Sequence, residues 1–275
     1  MLKATLHYQG PVQAIILDWA GTTIDFGSLA PVRAFIELFE REGVHVTQAQ
    51  AREPMGTEKR VHITRMLSNA NIQQQWQAIK GSAHTQADID RLYDDFLPIQ
   101  TNIIKQRSQL IPGWKNAFDE LVNKGYKIGG NTGYAREMVE PALAFAKEQG
   151  YTPLTTICAT EVKRGRPMPD MALMTMLALG ADHVRACVKV DDTLPGIEEG
   201  IRAGMWTVGV AVSGNEVGLD EHEWHALSDE AQQPLKEKSY ARFNAQGAHI
   251  VIDSVSQLPQ AIATIESWIA QGIAP

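Results

Sequence analysis

The sequence predicts an α/β protein: a doubly wound, parallel-sheet (Rossmann-like) core carrying an inserted α-helical cap domain. Three observations predict it. Short apolar runs alternate with helical periodicity through the second half of the chain, the pattern of β-α-β units covered by helices on both faces. One more such run, Val12–Asp18, stands alone near the N-terminus. Between the two, from Pro31 to about Leu110, no strand pattern occurs.

Taken in order, Val-Gln-Ala-Ile-Ile-Leu-Asp is a buried strand that delivers its final acid, Asp18, into a loop. After Pro31, the residues Val32, Phe35, Ile36 and Phe39 recur at helical spacing, with Arg33, Glu37 and Glu40 opposite. Glu58–Ser68, Asn71–Lys80 and Ala87–Arg107 follow as helices, with a kink expected at Pro98. Ile111-Pro-Gly marks the return to the core. Helices are expected over Trp114–Asn123, Ala135–Gln149, Asp170–Leu179, Pro195–Ala203 and Leu258–Ile269. Strands are expected over Lys127–Gly130, Thr155–Cys158, Cys187–Asp191, Thr207–Val212 and Ile250–Ile252. Gly214–Gly247 is polar and reads as irregular, with at most one short helix. The expected division is therefore 1–28 with 109–275 for the core and 29–108 for the cap.

Composition narrows the function. With 275 residues, 44% hydrophobic and 21% charged, the chain is an ordinary globular protein. Its 25 Lys+Arg against 32 Asp+Glu give a net charge of −7, which repels phosphate backbones and acidic lipid. Neither nucleic acid nor a membrane surface is expected as a partner. Two cysteines, Cys158 and Cys187, make no disulfide framework. With no secretory leader and no spanning apolar stretch, a cytoplasmic location is expected.

Ligands of such sheets bind beyond the carboxyl ends of the strands. Active residues should thus follow Leu17, Gly130, Cys158 and Val190. Those positions offer Asp18-Trp-Ala-Gly-Thr-Thr-Ile-Asp25, then Thr132 in Gly130-Asn-Thr-Gly-Tyr, then Lys163-Arg-Gly-Arg-Pro, then Val190-Asp-Asp-Thr. Singly, each is an ordinary cap, turn or surface charge. Jointly they are a nucleophile, oxygen-binding donors, a cation and acids for a metal, the set that phosphoryl transfer needs.

Asp18-x-x-Gly-Thr, Thr132, Arg166 and Asp192 resemble the four signature elements of the haloacid dehalogenase superfamily. One departure is informative. Phosphatases and mutases of that superfamily carry a second acid two residues after the nucleophile, whereas Ala20 stands here and has no side-chain proton to give. In the cap, Pro54-Met-Gly-Thr-Glu-Lys-Arg-Val-His62 puts Met55, Lys59 and His62 on one helical face. By spacing alone Lys59 is a solvated surface lysine. Together with Ala20, however, this segment resembles the phosphonatase (phosphonoacetaldehyde hydrolase) family. So do Gly165-Arg-Pro, Thr132-Gly-Tyr-x-Arg-Glu-Met and Ala203-Gly-Met-Trp-Thr-Val-Gly, and the likeness spans nearly the whole chain.

That resemblance implies hydrolysis of the phosphorus–carbon bond of phosphonoacetaldehyde, in phosphonate degradation, through a Lys59 Schiff base and an Asp18 aspartyl-phosphate. It implies that His62 and Tyr134 assist proton transfer, and that Met55, Thr132, Gly133 and Arg166 contact substrate. It further implies one Mg²⁺ held by Asp18, the Ala20 carbonyl and Asp192, and a homodimer. Asp191 stands where the superfamily often has glycine, and Gly196 where related enzymes often place another acid; whether the first replaces the second stays open. Two other readings compete: a phosphomonoesterase of the same superfamily with Lys59 setting specificity, and a binding module that lost catalysis through Ala20.

Overall fold

The computed structural model describes residues 8–275. The isolated apolar run forms β1 (Ala14–Leu17), buried at all four positions. It pairs in parallel with β2 (Lys127–Thr132) on one side and β4 (Cys187–Asp191) on the other. β3 (Thr156–Cys158) lies outside β2, and β5 (Trp206–Val210) and β6 (Ile250–Ile252) lie outside β4, giving the order β3-β2-β1-β4-β5-β6. Strands covered on both faces need no polar alternation, so β1, β4 and β5 are buried throughout. The direction of winding reverses at β1, and the crevice between the ends of β1 and β4 is the binding position of this topology.

Five helices follow β1 and make up the cap: α1 (Leu29–Arg41), α2 (Gln48–Arg52), α3 (Lys59–Ser68), α4 (Ala70–Lys80) and α5 (Gln86–Arg107). Phe35 of α1 stacks on Phe96 of α5 at 4.4 Å between centroids, and the two helices form the heart of the cap. A Thr85–Asp88 capping box opens α5, which continues across Pro98. The short helix α2 was not expected. It is set by a Thr47–Gln50 capping box rather than by an apolar stripe, and only Ala51 of it is buried.

The core helices are α6 (Trp114–Asn123), α7 (Arg136–Glu148), α8 (Asp170–Ala178), α9 (Leu194–Arg202) and α12 (Leu258–Ala270). The stretch 214–247 corrects the sequence expectation. It holds α10 (Glu221–His225) and the long α11 (Asp229–Gln246). Only Ser239 and Phe243 of α11 are buried, so its apolar stripe is too thin to read. Its C-terminal end is better signalled: Gly247 closes it in the left-handed conformation at φ 92°.

Candidate active site

Asp18, the first residue after β1, is 6% exposed. Its Oδ1 accepts a hydrogen bond from Arg166 Nη2 at 2.7 Å, while Oδ2 accepts none from the described residues. One oxygen is thus held and the other is free to face a ligand. Burial pushes the Asp18 carboxyl up to about 6; Arg166 and Lys189 oppose that rise and Asp191 adds to it.

Behind Asp18 lies a buried ionic network that the sequence reading missed. Arg166 Nε donates to Glu199 Oε2 at 3.0 Å, and Arg166 Nη2 also donates to Asn131 Oδ1 at 2.7 Å and pairs with Asp191 at 3.2 Å. Lys189, fully buried in β4, donates to Asp191 Oδ2 at 2.7 Å and to Asn131 Oδ1 at 2.8 Å. Glu199 Oε1 accepts from Asn131 Nδ2 at 3.1 Å and from the Ala172 amide at 3.0 Å. Burial works against charge on Asp191, yet Arg166 and Lys189 hold its carboxyl below the usual range. Burial likewise opposes charge on Arg166, and Asp191, Asp18 and Glu199 outweigh it. Charges this deep are tolerated only when so fully paired. A Cβ at Gly196 would lie 2.0 Å from the Asp191 Cγ, so the Asp191 carboxylate fills the space a side chain at 196 would take.

Asp192 points the other way. Its Oδ1 accepts from Thr22 Oγ1 at 2.8 Å and its Oδ2 from the Asn215 amide at 2.9 Å. Burial, then Asp18, then Asp191 raise its carboxyl well above the ordinary value. Carboxylate oxygens of Asp18, Asp191 and Asp192 all lie within 4.8 Å of one another. Repulsion of that kind is what a divalent cation relieves, and hard oxygen donors suit Mg²⁺. The oxygens of Asp191 are already taken by Lys189, Arg166 and Thr193. Asp18 and Asp192 are the freer donors, and none of the described residues donates a hydrogen bond to the neighbouring Ala20 carbonyl.

The cap supplies the opposite wall. Glu58 accepts from the Arg60 and Val61 amides and so starts α3 at Lys59. Lys59 is 3% exposed and His62 is fully buried. The ammonium of Lys59 sits 4.7 Å from the Tyr134 ring centroid and 5.5 Å from that of Phe35. Burial lowers Lys59 to about 8, against the pull of Asp18 and Glu58. His62 stacks on Phe35 at 3.8 Å, and its Nε2 lies 2.9 Å from the Ala51 carbonyl. A carbonyl only accepts, so Nε2 carries the proton and Nδ1, which has no partner among the described residues, is a free acceptor. Burial, aided by Lys59, keeps this imidazole neutral. The Tyr134 hydroxyl accepts from Gln100 Nε2 at 3.4 Å, and burial holds the phenol protonated. Gln100, in the middle of α5 and fully buried, gave no signal in the sequence.

Met55, Lys59, Asp18, Ala20, Thr132, Gly133, Tyr134 and Arg166 line one shared space of about 20 Å³. That is room for roughly one water. Larger hollows of about 530 Å³ and 720 Å³ share Phe26 and His225 and include neither Asp18 nor Lys59. Size here does not mark the chemistry. This space joins residues from the cap with residues after β1, β2, β3 and β4, and its lining does not include His62 or Asp192.

A parallel sheet with an acid at the end of its first strand, a hydroxyl at the end of its second, a cation after its third and acids at the end of its fourth defines an α/β enzyme of the phosphoryl-transfer class. The haloacid dehalogenase-like hydrolase family matches residues 12–204. Similar proteins are more specific. The phosphonoacetaldehyde hydrolase of Hahella chejuensis is 50% identical over 268 residues, covering 98% of this chain and 91% of that one. That of Salmonella typhi is 44% identical over 96% of this chain and 99% of its own. A crystal structure of a phosphonoacetaldehyde hydrolase-like protein from Oleispira antarctica superposes over 100% of both chains with a TM-score of 0.98 at 61% identity. The chain belongs to the phosphonoacetaldehyde hydrolase family of haloacid dehalogenase-like hydrolases. The fold alone is shared more widely, as with a beta-phosphoglucomutase from Clostridium difficile at 17% identity and a TM-score of 0.67.

Proposed function

We propose that the protein hydrolyses the phosphorus–carbon bond of phosphonoacetaldehyde to acetaldehyde and phosphate, with 29–108 acting as cap and 1–28 with 109–275 as core. One observation carries the reading: a buried amine, Lys59, lines one small space with a carboxylate, Asp18, while Ala20 stands where an acid would serve a leaving oxygen. Expelling a carbanion is very unfavourable. Condensation of Lys59 Nζ with the aldehyde, with loss of water, gives a protonated imine that accepts the electron pair of the breaking bond. Asp18 attacks phosphorus, and an enamine departs rather than a carbanion. The enamine is protonated at carbon, the imine is hydrolysed to acetaldehyde, and water releases phosphate from Asp18.

The residues fit these steps. With Lys59 at about 8, roughly a tenth of the amine is neutral at pH 7, against under about 0.1% for an ordinary lysine. In this reading the Nδ1 lone pair of His62 and the Tyr134 hydroxyl move protons as the imine forms and breaks, and Met55 shields the amine. Thr132, Gly133 and Arg166 hold the phosphonate, and Arg166 also fixes Asp18. Asp18, the Ala20 carbonyl and Asp192 would hold Mg²⁺, which when bound offsets the repulsion between carboxylate and phosphonate. A homodimer and a cytoplasmic location belong to the same reading; Cys158 and Cys187, both buried and unpaired, suit a reducing compartment. Among the described residues no helix is long and apolar enough to cross a membrane. The test is product analysis: equal release of phosphate and acetaldehyde from phosphonoacetaldehyde with Mg²⁺ supports the reading. Turnover of sugar phosphates without that release overturns it.

A further inference from the structure

Lys59 and Asp18 belong to different layers, so their alignment depends on how the cap sits on the core. The space they share, about 20 Å³, has room for roughly one water. Substrate binding between them therefore depends on what seats the cap segment on the core.

Arg52 is placed to do that seating. It ends α2, only three residues before Met55 and seven before Lys59. Its guanidinium leaves the cap entirely. Nη1 donates to the Gly27 carbonyl at 2.9 Å and to Asn215 Oδ1 at 3.2 Å, and Nη2 donates to the Gly218 carbonyl at 2.7 Å. These acceptors are neutral oxygens gathered from the segment before α1 and the loop after β5. A planar fork spans such a cradle, and a single ammonium does not. The cradle is shaped for it. Gly218 adopts φ +69°, and a Cβ there would lie 2.5 Å from the guanidinium carbon.

The same loop reaches the acid cluster. Asn215, 6% exposed, accepts from Arg52 through its side chain and donates its amide to Asp192 Oδ2 at 2.9 Å. One residue separates the cap's guanidinium from a carboxylate of the site. We infer that Arg52 is a positioning residue: by docking into this carbonyl cradle it seats the Met55–Lys59 segment over Asp18, and through Asn215 it fixes the orientation of Asp192. The inference rests on the function proposed above for its catalytic consequence, and on the geometry alone for the docking.

Losing the dock lowers the fraction of molecules in the competent arrangement, and apparent substrate affinity falls by that fraction. The test compares Arg52→Met, Arg52→Lys and the unaltered protein by steady-state kinetics with phosphonoacetaldehyde and by amide hydrogen exchange without substrate. Hydrogen bonds to a charged group of this kind predict a fall in kcat/KM of about ten-fold or more in Arg52→Met, carried mainly by KM. Arg52→Lys, with charge but no fork, falls between the two. Exchange should quicken over 52–59 and at the Asn215 amide while β1 and β4 keep their protection. Unchanged KM and exchange in Arg52→Met would overturn the inference. So would exchange quickened equally in β1 and β4, which marks a general loss of fold. If the unaltered protein releases no phosphate and acetaldehyde, the proposed function fails instead, and the exchange measurement still decides the docking.

Discussion

Replacing Lys59 with methionine should make the protein more stable, and more so at neutral than at alkaline pH. Burial lowers the lysine from its ordinary 10.5 to about 8. The unfolded chain therefore holds this proton more tightly than the folded one, and stability rises with pH between those two values. At about 1.36 kcal/mol per unit, the buried ammonium destabilises the fold by about 3 kcal/mol at pH 7. The penalty is fully present below about 8 and is gone above about 10.5. Lys59→Met removes it, with a similar volume and no charge. Urea unfolding of both proteins at pH 7, 8, 9 and 10 measures the difference directly. The account predicts a gap that is largest at pH 7 and narrows steadily above about 8. A gap independent of pH would refute the claim that Lys59 is desolvated. So would a variant no more stable than the parent at pH 7.

Four further outcomes are expected. Lys59→Arg keeps charge but forms no imine, so phosphate release from phosphonoacetaldehyde should vanish while Mg²⁺ binding by calorimetry survives. Asp18→Asn should lower turnover on the order of 10⁴-fold or more, read as single-turnover phosphate release. Lys189→Met leaves Asp191 and Glu199 short of a buried partner and should destabilise by about 3–5 kcal/mol in urea unfolding. Gly196→Ala, whose Cβ would meet the Asp191 carboxylate at 2.0 Å, should destabilise by about 1–3 kcal/mol in the same measurement.

Much of this architecture was legible in the sequence because a doubly covered parallel sheet writes itself as short apolar runs. Asp18 and Asp192 stood out by position, each closing such a run at a strand end. Lys189 and Glu199 did not. A lysine inside a strand and a glutamate on a helix read as exposed faces, and only contacts across the fold, such as Asn131 to Glu199 over 68 residues, reveal them as a buried network. Gln100 and Arg52 were hidden for the same reason, since their partners Tyr134 and Gly218 come from distant loops. The helix α11 escaped notice because only two of its residues are buried and no amphipathic stripe marks it. Lys59 was the reverse case: its spacing suggested a surface residue, and the Phe35 and Tyr134 rings around it explain why it is not one.

The most direct measurement is mass spectrometry of the enzyme quenched with borohydride during turnover of phosphonoacetaldehyde. The account predicts a reduced two-carbon adduct, with or without its phosphonate, on Lys59 and on no other lysine. An enzyme that turns over fully yet shows Lys59 unmodified after reduction would contradict it.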